Sequence, residues 1–354
     1  MNKYVELLNS LTQAVGPSGS EKPAADIWAA YLKKANSKID INRDVHGNTI
    51  ASVGPDNAMR VMLAAHIDEI GYMIRYIDEK GFLFFSAIGG IDPTLTVGQK
   101  VYIKAKSGKV LGVVGKKPIH LMDSDELKRP VKLSDLCIDI GADSKKDAEG
   151  LISVGDVAVP VSGFDSLGKD KYASKSFDDR AGAYVGARVI EELAEEKLKV
   201  KFFSVATVQE EIGLRGARTS AFAIDPHVGI AVDVTFATDF PGIDPKRVGE
   251  IKLGKGPVIA KGPNINLGVF ERMVKVAKRN KVPYQIEGIP RATGTDANML
   301  QVTRGGVAAG LISIPLRYMH TPVEVISFKD LESAVKLIVN FVKGLKGNET
   351  WPAY

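Results

Sequence analysis

The sequence predicts an α/β protein: a mostly parallel sheet with helices on both faces, interrupted by a small inserted all-β domain. Three observations predict it. Over the second half of the chain, apolar runs of strand length alternate with helix-length runs, the pattern of a parallel sheet with crossover helices. Between 71 and 160 the pattern changes to short β-rich runs separated by Gly, Pro and Asp, with no helix of three turns. The chain has 354 residues, 45% of them hydrophobic and 25% charged. That is enough for one large core and a satellite, and it excludes a disordered or fibrous protein.

The elements follow in order. Two helices are expected over 7–15 and 24–35, separated by the turn Gly16-Pro17-Ser18-Gly19-Ser20-Glu21. Strands follow at 48–53 and 60–65. The β unit contributes runs at 72–76, 82–87, 100–104, 110–114, 136–140 and 156–160. Helix 179–196, strand 201–208, helix 214–223 and strand 228–232 resume the alternation. Helix 267–280, strand 283–287, helix 296–303, strand 306–314 and helix 329–345 complete it, and 343–354 is expected to fray. The reading divides the chain into an α/β domain, 1–68 with 164–354, and an inserted β domain, 69–163.

Charge and composition narrow the function classes. The net charge is +5, a mild excess that requires no nucleic-acid partner. One cysteine, Cys137, cannot form an intrachain disulfide, which fits a reducing compartment. No stretch approaches the roughly 18 apolar residues of a membrane span, and Glu6 stands where a signal peptide is apolar. A cytoplasmic protein is the expectation.

Ligands of open α/β sheets bind beyond the carboxyl ends of the strands. There this sequence repeatedly delivers His or carboxylate. The 60–65 strand leads to His66-Ile67-Asp68-Glu69, and 201–208 leads to Gln209-Glu210-Glu211. The 228–232 strand ends in Asp233, 306–314 leads to Tyr318-Met319-His320, and Asp178-Asp179 precedes a helix. Each taken alone has a structural reading: a buried histidine, a solvated acidic loop, a helix cap. A dinuclear metal site accounts for them together. Two divalent ions bring about +4 of charge. Three carboxylates and a bridging hydroxide bring about −4, and imidazole nitrogen with carboxylate oxygen suits Zn²⁺. His66 and Asp233 on one ion, Glu211 and His320 on the other, and Asp178 between them give that balance. Glu210 and Glu211 point to opposite sides of an extended segment, which splits them into general base and ligand. Asp68 lies on the same side as His66 and is placed to orient its ring.

These segments resemble the tetrahedral (TET) aminopeptidases, a family of dinuclear metallopeptidases that includes glutamyl and leucyl aminopeptidases. The resemblance rests on Ala65-His66-Ile67-Asp68-Glu69-Ile70-Gly71, Lys175-Ser176-Phe177-Asp178-Asp179-Arg180 and Val208-Gln209-Glu210-Glu211-Ile212-Gly213. Val232-Asp233-Val234, Thr238-Asp239-Phe240-Pro241-Gly242, Gly294-Thr295-Asp296-Ala297 and Arg317-Tyr318-Met319-His320-Thr321-Pro322-Val323-Glu324 complete it. It implies metal ligands His66, Asp178, Glu211, Asp233 and His320, the base Glu210, and Asp68 as the residue that orients His66. Thr295 and Asp296 are expected near substrate. It further implies two divalent ions, Zn or Co with Mn also suitable, and hydrolysis of short peptides from the N-terminus. The insert would be a PDZ-like dimerisation domain, and dimers would build a tetrahedral dodecamer. One departure, Arg291-Ala292-Thr293-Gly294 where relatives carry glycines, bears on specificity rather than on the metal site.

Two other classes compete. A glycoside hydrolase of the endoglucanase kind needs two carboxylates and no metal, but it leaves His66 and His320 unused and finds only two Trp for sugar stacking. A non-catalytic shell would have lost the base or a ligand, and neither is missing. His46, His120 and His227 read as turn or loop histidines, and Cys137 as core. Gly254-Lys255-Gly256-Pro257 reads as a turn rather than a phosphate loop, and the basic run 275–281 as a solvated helix end.

Overall fold

The computed structural model describes residues 2–352. Helices α1 (Lys3–Thr12) and α2 (Lys22–Ala35) open the chain. The Asn2 side chain caps α1 by accepting from the N–H of Tyr4. Strands β1 (Asp40–Arg43), β2 (Thr49–Val53) and β3 (Arg60–His66) follow. The sequence reading lacks β1, a short polar edge strand without an apolar pattern. The insert comprises β4 (Gly71–Ile77), β5 (Leu83–Ile88), α3 (Pro93–Thr96), β6 (Lys100–Ala105), β7 (Gly108–Gly115), β8 (Cys137–Asp139), α4 (Lys145–Leu151) and β9 (Val157–Pro160). Next come β10 (Asp165–Leu167), β11 (Lys171–Ser174), α5 (Phe177–Leu193), β12 (Lys201–Thr207), α6 (Arg215–Ile224) and β13 (Val228–Phe236). The last are α7 (Pro245–Val248), β14 (Val258–Lys261), α8 (Leu267–Arg279), β15 (Gln285–Gly288), α9 (Ala297–Gln301), β16 (Ala308–Leu316), β17 (Glu324–Ser327) and α10 (Phe328–Lys343).

Eight strands form one sheet in the order β1-β2-β12-β3-β13-β16-β14-β15. The four central strands β12, β3, β13 and β16 are parallel. Both flanks turn antiparallel, at β2 against β12 and β14 against β16, so the sheet is mixed rather than purely parallel. Helices cover both faces, and two glycines record it. A Cβ on Gly310 would meet Val269 and Met273 of α8 at 2.8 and 2.9 Å, and one on Gly229 would meet Leu300 of α9 at 3.2 Å. Gly310 pairs with Ile230, the neighbour of Gly229, so the two glycines face opposite sides. Helix α5 lies against the sheet and is itself covered by α1, α2 and α10, which buries nearly all of it. Trp28 of α2 is fully buried and donates its indole N–H to the carbonyl of Ala183 at 2.8 Å.

The insert closes into a six-stranded antiparallel barrel, β4-β5-β8-β7-β6-β9, around its own core of Tyr72, Ile74, Leu83, Val101, Ile103 and Ile138. Closure removes the sheet edges that an open β unit of this size would expose. Cys137 is half-buried on β8, not in the core. At the start of the insert, the buried Glu69 carboxylate takes Lys175 Nζ at 2.6 Å, Arg180 at 3.2 Å and the N–H of Gly16 at 2.9 Å. A buried charge so paired ties the barrel's first strand to α5 and to the turn after α1.

The C-terminal segment does not fray as expected. The Trp351 ring stacks on Phe341 with centroids 6.2 Å apart, and Asn266 donates to its carbonyl at 3.3 Å. Residues 353–354 lie outside the described residues. No described helix is long and apolar enough to cross a membrane.

Candidate active site

The four parallel central strands bring their carboxyl ends to one edge. His66 is the last residue of β3, Glu210 and Glu211 follow β12, and His320 follows β16. Asp233 was expected to end its strand. Instead β13 runs on to Phe236, because β13 and β16 pair along their full nine residues, and Asp233 sits inside the strand opposite Ser313. Gln209, Tyr318 and His320 have φ of 55°, 62° and 61°, the left-handed region that side chains rarely occupy. These turns aim the acidic pair and the second histidine back over the sheet edge.

Two groups of side chains meet there. His66, Asp178 and Asp233 offer ligand atoms within 4.8 Å of one another, and so do Asp178, Glu211 and His320. Asp178 belongs to both. Its Oδ1 lies 3.0 Å from His66 Nε2 and its Oδ2 lies 3.3 Å from His320 Nε2. Glu211 Oε1 lies 3.5 Å from the same His320 nitrogen. Glu210 belongs to neither group. It is buried, with Oε2 3.9 Å from His66 Nε2.

A supporting layer fixes these groups. Asp68 is fully buried and its Oδ1 stands 3.5 Å from His66 Nδ1. It also accepts the N–H of Glu210 at 3.1 Å, the N–H of Glu211 at 3.2 Å and the hydroxyl of Ser18 at 2.6 Å. Asp179 divides the labour with Asp178: it accepts the N–H of Gly182 at 2.9 Å as a helix cap does, and the N–H of His66 at 3.2 Å. Glu324 is a further functional residue, which the sequence alone does not assign. It is buried at the start of β17 and accepts the N–H of His320 at 2.9 Å and the N–H of Asp178 at 3.1 Å. Its signals in the sequence are its place at the end of the 317–324 segment that carries the resemblance and its position four residues after His320, before an apolar strand. Gly90 supplies the last contact, its carbonyl 2.8 Å from His320 Nδ1.

The electrostatics are those of a site short of positive charge. Glu210 is pushed up to about 10 and Glu211 to about 8, by burial first and by neighbouring carboxylates next, against the pull of His66. Asp233 and Asp179 are held well above the ordinary carboxylate range for the same reasons. Burial also opposes the charge of Asp178, but hydrogen bonds from His320 and His66 prevail and lower it. His320 rises to about 9 through its bond to Asp178, against its burial. The ion-pair partners of these carboxylates are the two imidazoles, with no Lys or Arg among the described residues. Buried carboxylates converging without a fixed cation, with two imidazoles among them, are a donor set suited to divalent metal.

The groups open onto a cleft of about 730 Å³ lined also by 286–295, 247–249 and Ile251. Thr295 lines it. Asp296 lies beneath it, buried, with Oδ2 accepting the Thr207 hydroxyl at 2.6 Å and its pKa raised by burial to about 6. His120 is exposed, while His227 accepts the N–H of Arg60 at 3.2 Å, away from the cleft.

The M42 glutamyl aminopeptidase family matches residues 47–337. The chain belongs to this family. It is an M42 metallo-aminopeptidase, a peptide-bond hydrolase, and the family implies a divalent metal. It is 38% identical over 352 residues to the lysyl aminopeptidase of Pyrococcus furiosus, covering 98% of this chain and 99% of that one. Among solved structures, aminopeptidase APDkam598 of the archaeon Desulfurococcus kamchatkensis superposes with a TM-score of 0.89 at 39% identity, covering 97% and 95% of the two chains. The Pyrococcus horikoshii TET1 peptidase, which can assemble into a tetrahedron or a large octahedral shell, superposes with a TM-score of 0.87 at 32% identity, covering 97% and 100%. The M42 fold thus accounts for both the mixed sheet and the inserted barrel.

Proposed function

We propose that this M42 enzyme removes N-terminal residues from short peptides at a dinuclear site. His66 and Asp233 would hold one ion, Glu211 and His320 the other, and Asp178 both. The observation that carries the reading is the shared carboxylate of Asp178, one oxygen facing each histidine. Two bound divalent ions, Zn²⁺ or Co²⁺ with Mn²⁺ also suited to these donors, would supply Lewis acidity and lower the pKa of a water in the site.

The chain's own residues do the rest. Glu210 lies outside both ligand groups, so its carboxylate is left to take the proton from the attacking water and hand it to the leaving amine. Asp68 orients the His66 ring and holds the backbone of Glu210 and Glu211. Thr295 stands on the cleft wall for substrate, and Asp296, buried behind it, holds the Thr207 hydroxyl. The cleft's size suits a few residues of extended peptide.

The domain division 1–68 with 164–354, and 69–163, gives the barrel the role of a PDZ-like dimerisation module. Leu111 and Val113 on one side of β7, with Ile119 and Leu121 beyond it, expose apolar surface that a second copy would cover. By similarity to TET1, dimers would build a tetrahedral dodecamer, in the cytoplasm, with no nucleic-acid or membrane partner. A glycosidase reading finds no use for the two histidines that pair with Asp178.

The test is hydrolysis of anilides of Leu, Glu and Lys, free and N-acetylated, with metal and after chelation. Cleavage of the free substrates alone, lost on chelation, is expected. Cleavage of blocked substrates, or activity surviving chelation, would refute the reading. Light scattering of the purified protein tests the dodecamer.

A further inference from the structure

The cleft carries three charged side chains besides those of the candidate metal site: Arg247, Arg291 and Glu287. The two arginines are exposed, and water screens their charge. Glu287 on β15 is half-buried and faces the cleft. Its polar partner is the Thr235 hydroxyl, which donates to Oε2 at 2.9 Å. The cleft therefore holds a partly desolvated carboxylate bonded to a neutral hydroxyl, with its two arginines exposed on the lining.

Its position relative to the chemistry is fixed by β13. Thr235 follows Asp233 by two residues, so both project from the same side of the strand. The step between them is about 7 Å along the strand. A peptide whose terminal amine and first carbonyl lie at the metal site would send its first side chain along that step toward Glu287. The span suits a long flexible cation such as lysine, or arginine with its forked guanidinium.

We propose that Glu287 is a specificity-determining residue that selects a cationic N-terminal side chain, lysine or arginine. The inference rests on the aminopeptidase reading above. An acidic first residue would meet Glu287 with like charge, and an aliphatic one would strip its water without replacing it. Burial raises the pKa of Glu287, and a substrate cation would draw it back down.

The test compares kcat/KM for Lys, Arg, Leu and Glu anilides in the metal-loaded enzyme and in E287Q, E287D and E287K. The wild type is expected to favour Lys and Arg over Leu and Glu by about tenfold or more. E287Q is expected to lower the Lys-to-Leu ratio by about tenfold, E287D to keep most of it, and E287K to favour Glu over Lys. A merely structural role would move all substrates together and leave the ratio intact. A wild type fastest on Glu or Leu, or a Lys-to-Leu ratio unchanged in E287Q, overturns the inference while leaving the peptidase standing. Failure on every free-amine substrate overturns the peptidase reading and this inference with it.

Discussion

Asp68 holds Glu210 by its backbone: Oδ1 accepts the N–H of Glu210 at 3.1 Å, while Oδ2 accepts that of Glu211 at 3.2 Å. The same carboxylate stands 3.5 Å from the His66 ring. One buried acid thus sets the end of β3 against the loop after β12, and the proposed ligand and base are placed by a single group. Burial works against its charge, but bonds from His66, Ser18 and Glu210 keep it below the ordinary carboxylate range. Asp68→Asn puts an amide N–H where an acceptor is needed. Activity or metal affinity should fall about 10- to 100-fold, as read by kcat/KM and metal titration.

Glu210→Gln removes the proposed proton carrier and leaves the five candidate ligands in place. The expected result is a fall in kcat of about 10²- to 10⁴-fold with metal content unchanged. Elemental analysis beside steady-state kinetics separates this from loss of metal.

Glu324→Ala tests the clamp behind the site. It orphans the N–H groups of Asp178 and His320. Each buried unsatisfied donor costs about 1–3 kcal/mol, so urea denaturation should show a stability loss of that order and metal titration a weaker site.

The metal-free protein should have a distinctive pH dependence. Folded Glu210 and Glu211 keep protons up to about 10 and about 8, whereas unfolded glutamates release theirs near 4.5. His320, raised to about 9 from 6.5, works in the same direction. The folded state binds more protons than the unfolded one across this window, so its stability falls as pH rises from about 5 to about 9. Asp68 and Asp178, both depressed, contribute stability that is lost only in more acid solution. Metal displaces those protons and binds more tightly as pH rises. Thermal melts should show Tm of the chelated protein dropping across that range and Tm of the loaded protein much less.

Much of this was legible in the sequence because strands of a parallel sheet end at one edge. His66, Asp178, Glu210, Glu211, Asp233 and His320 could be gathered from strand ends and one helix start before any fold was known. Other features were set by tertiary partners. Strand β13 passes Asp233 because β16 pairs with it residue for residue. The Asp178-Asp179 pair separates into a shared carboxylate and a helix cap only once His66 and Gly182 are in place. Glu324 and Glu287 look like ordinary acids beside strands, and their burial comes from segments far away in the chain. Closure of the insert into a barrel depends on strand order, which short β runs do not encode. The C-terminal segment, polar enough to suggest fraying, is held by Trp351 against Phe341.

The central claim is a two-ion site bridged by Asp178. The most direct measurement is calorimetric titration of the chelated protein with Zn²⁺ or Co²⁺, following anilide hydrolysis at each addition, in the wild type and Asp178→Asn. The expected result is two ions per chain, activity rising as they bind, and loss of both binding and activity in the variant. A single ion per chain, full activity without metal, or an Asp178→Asn protein that binds two ions as tightly as the wild type would contradict it.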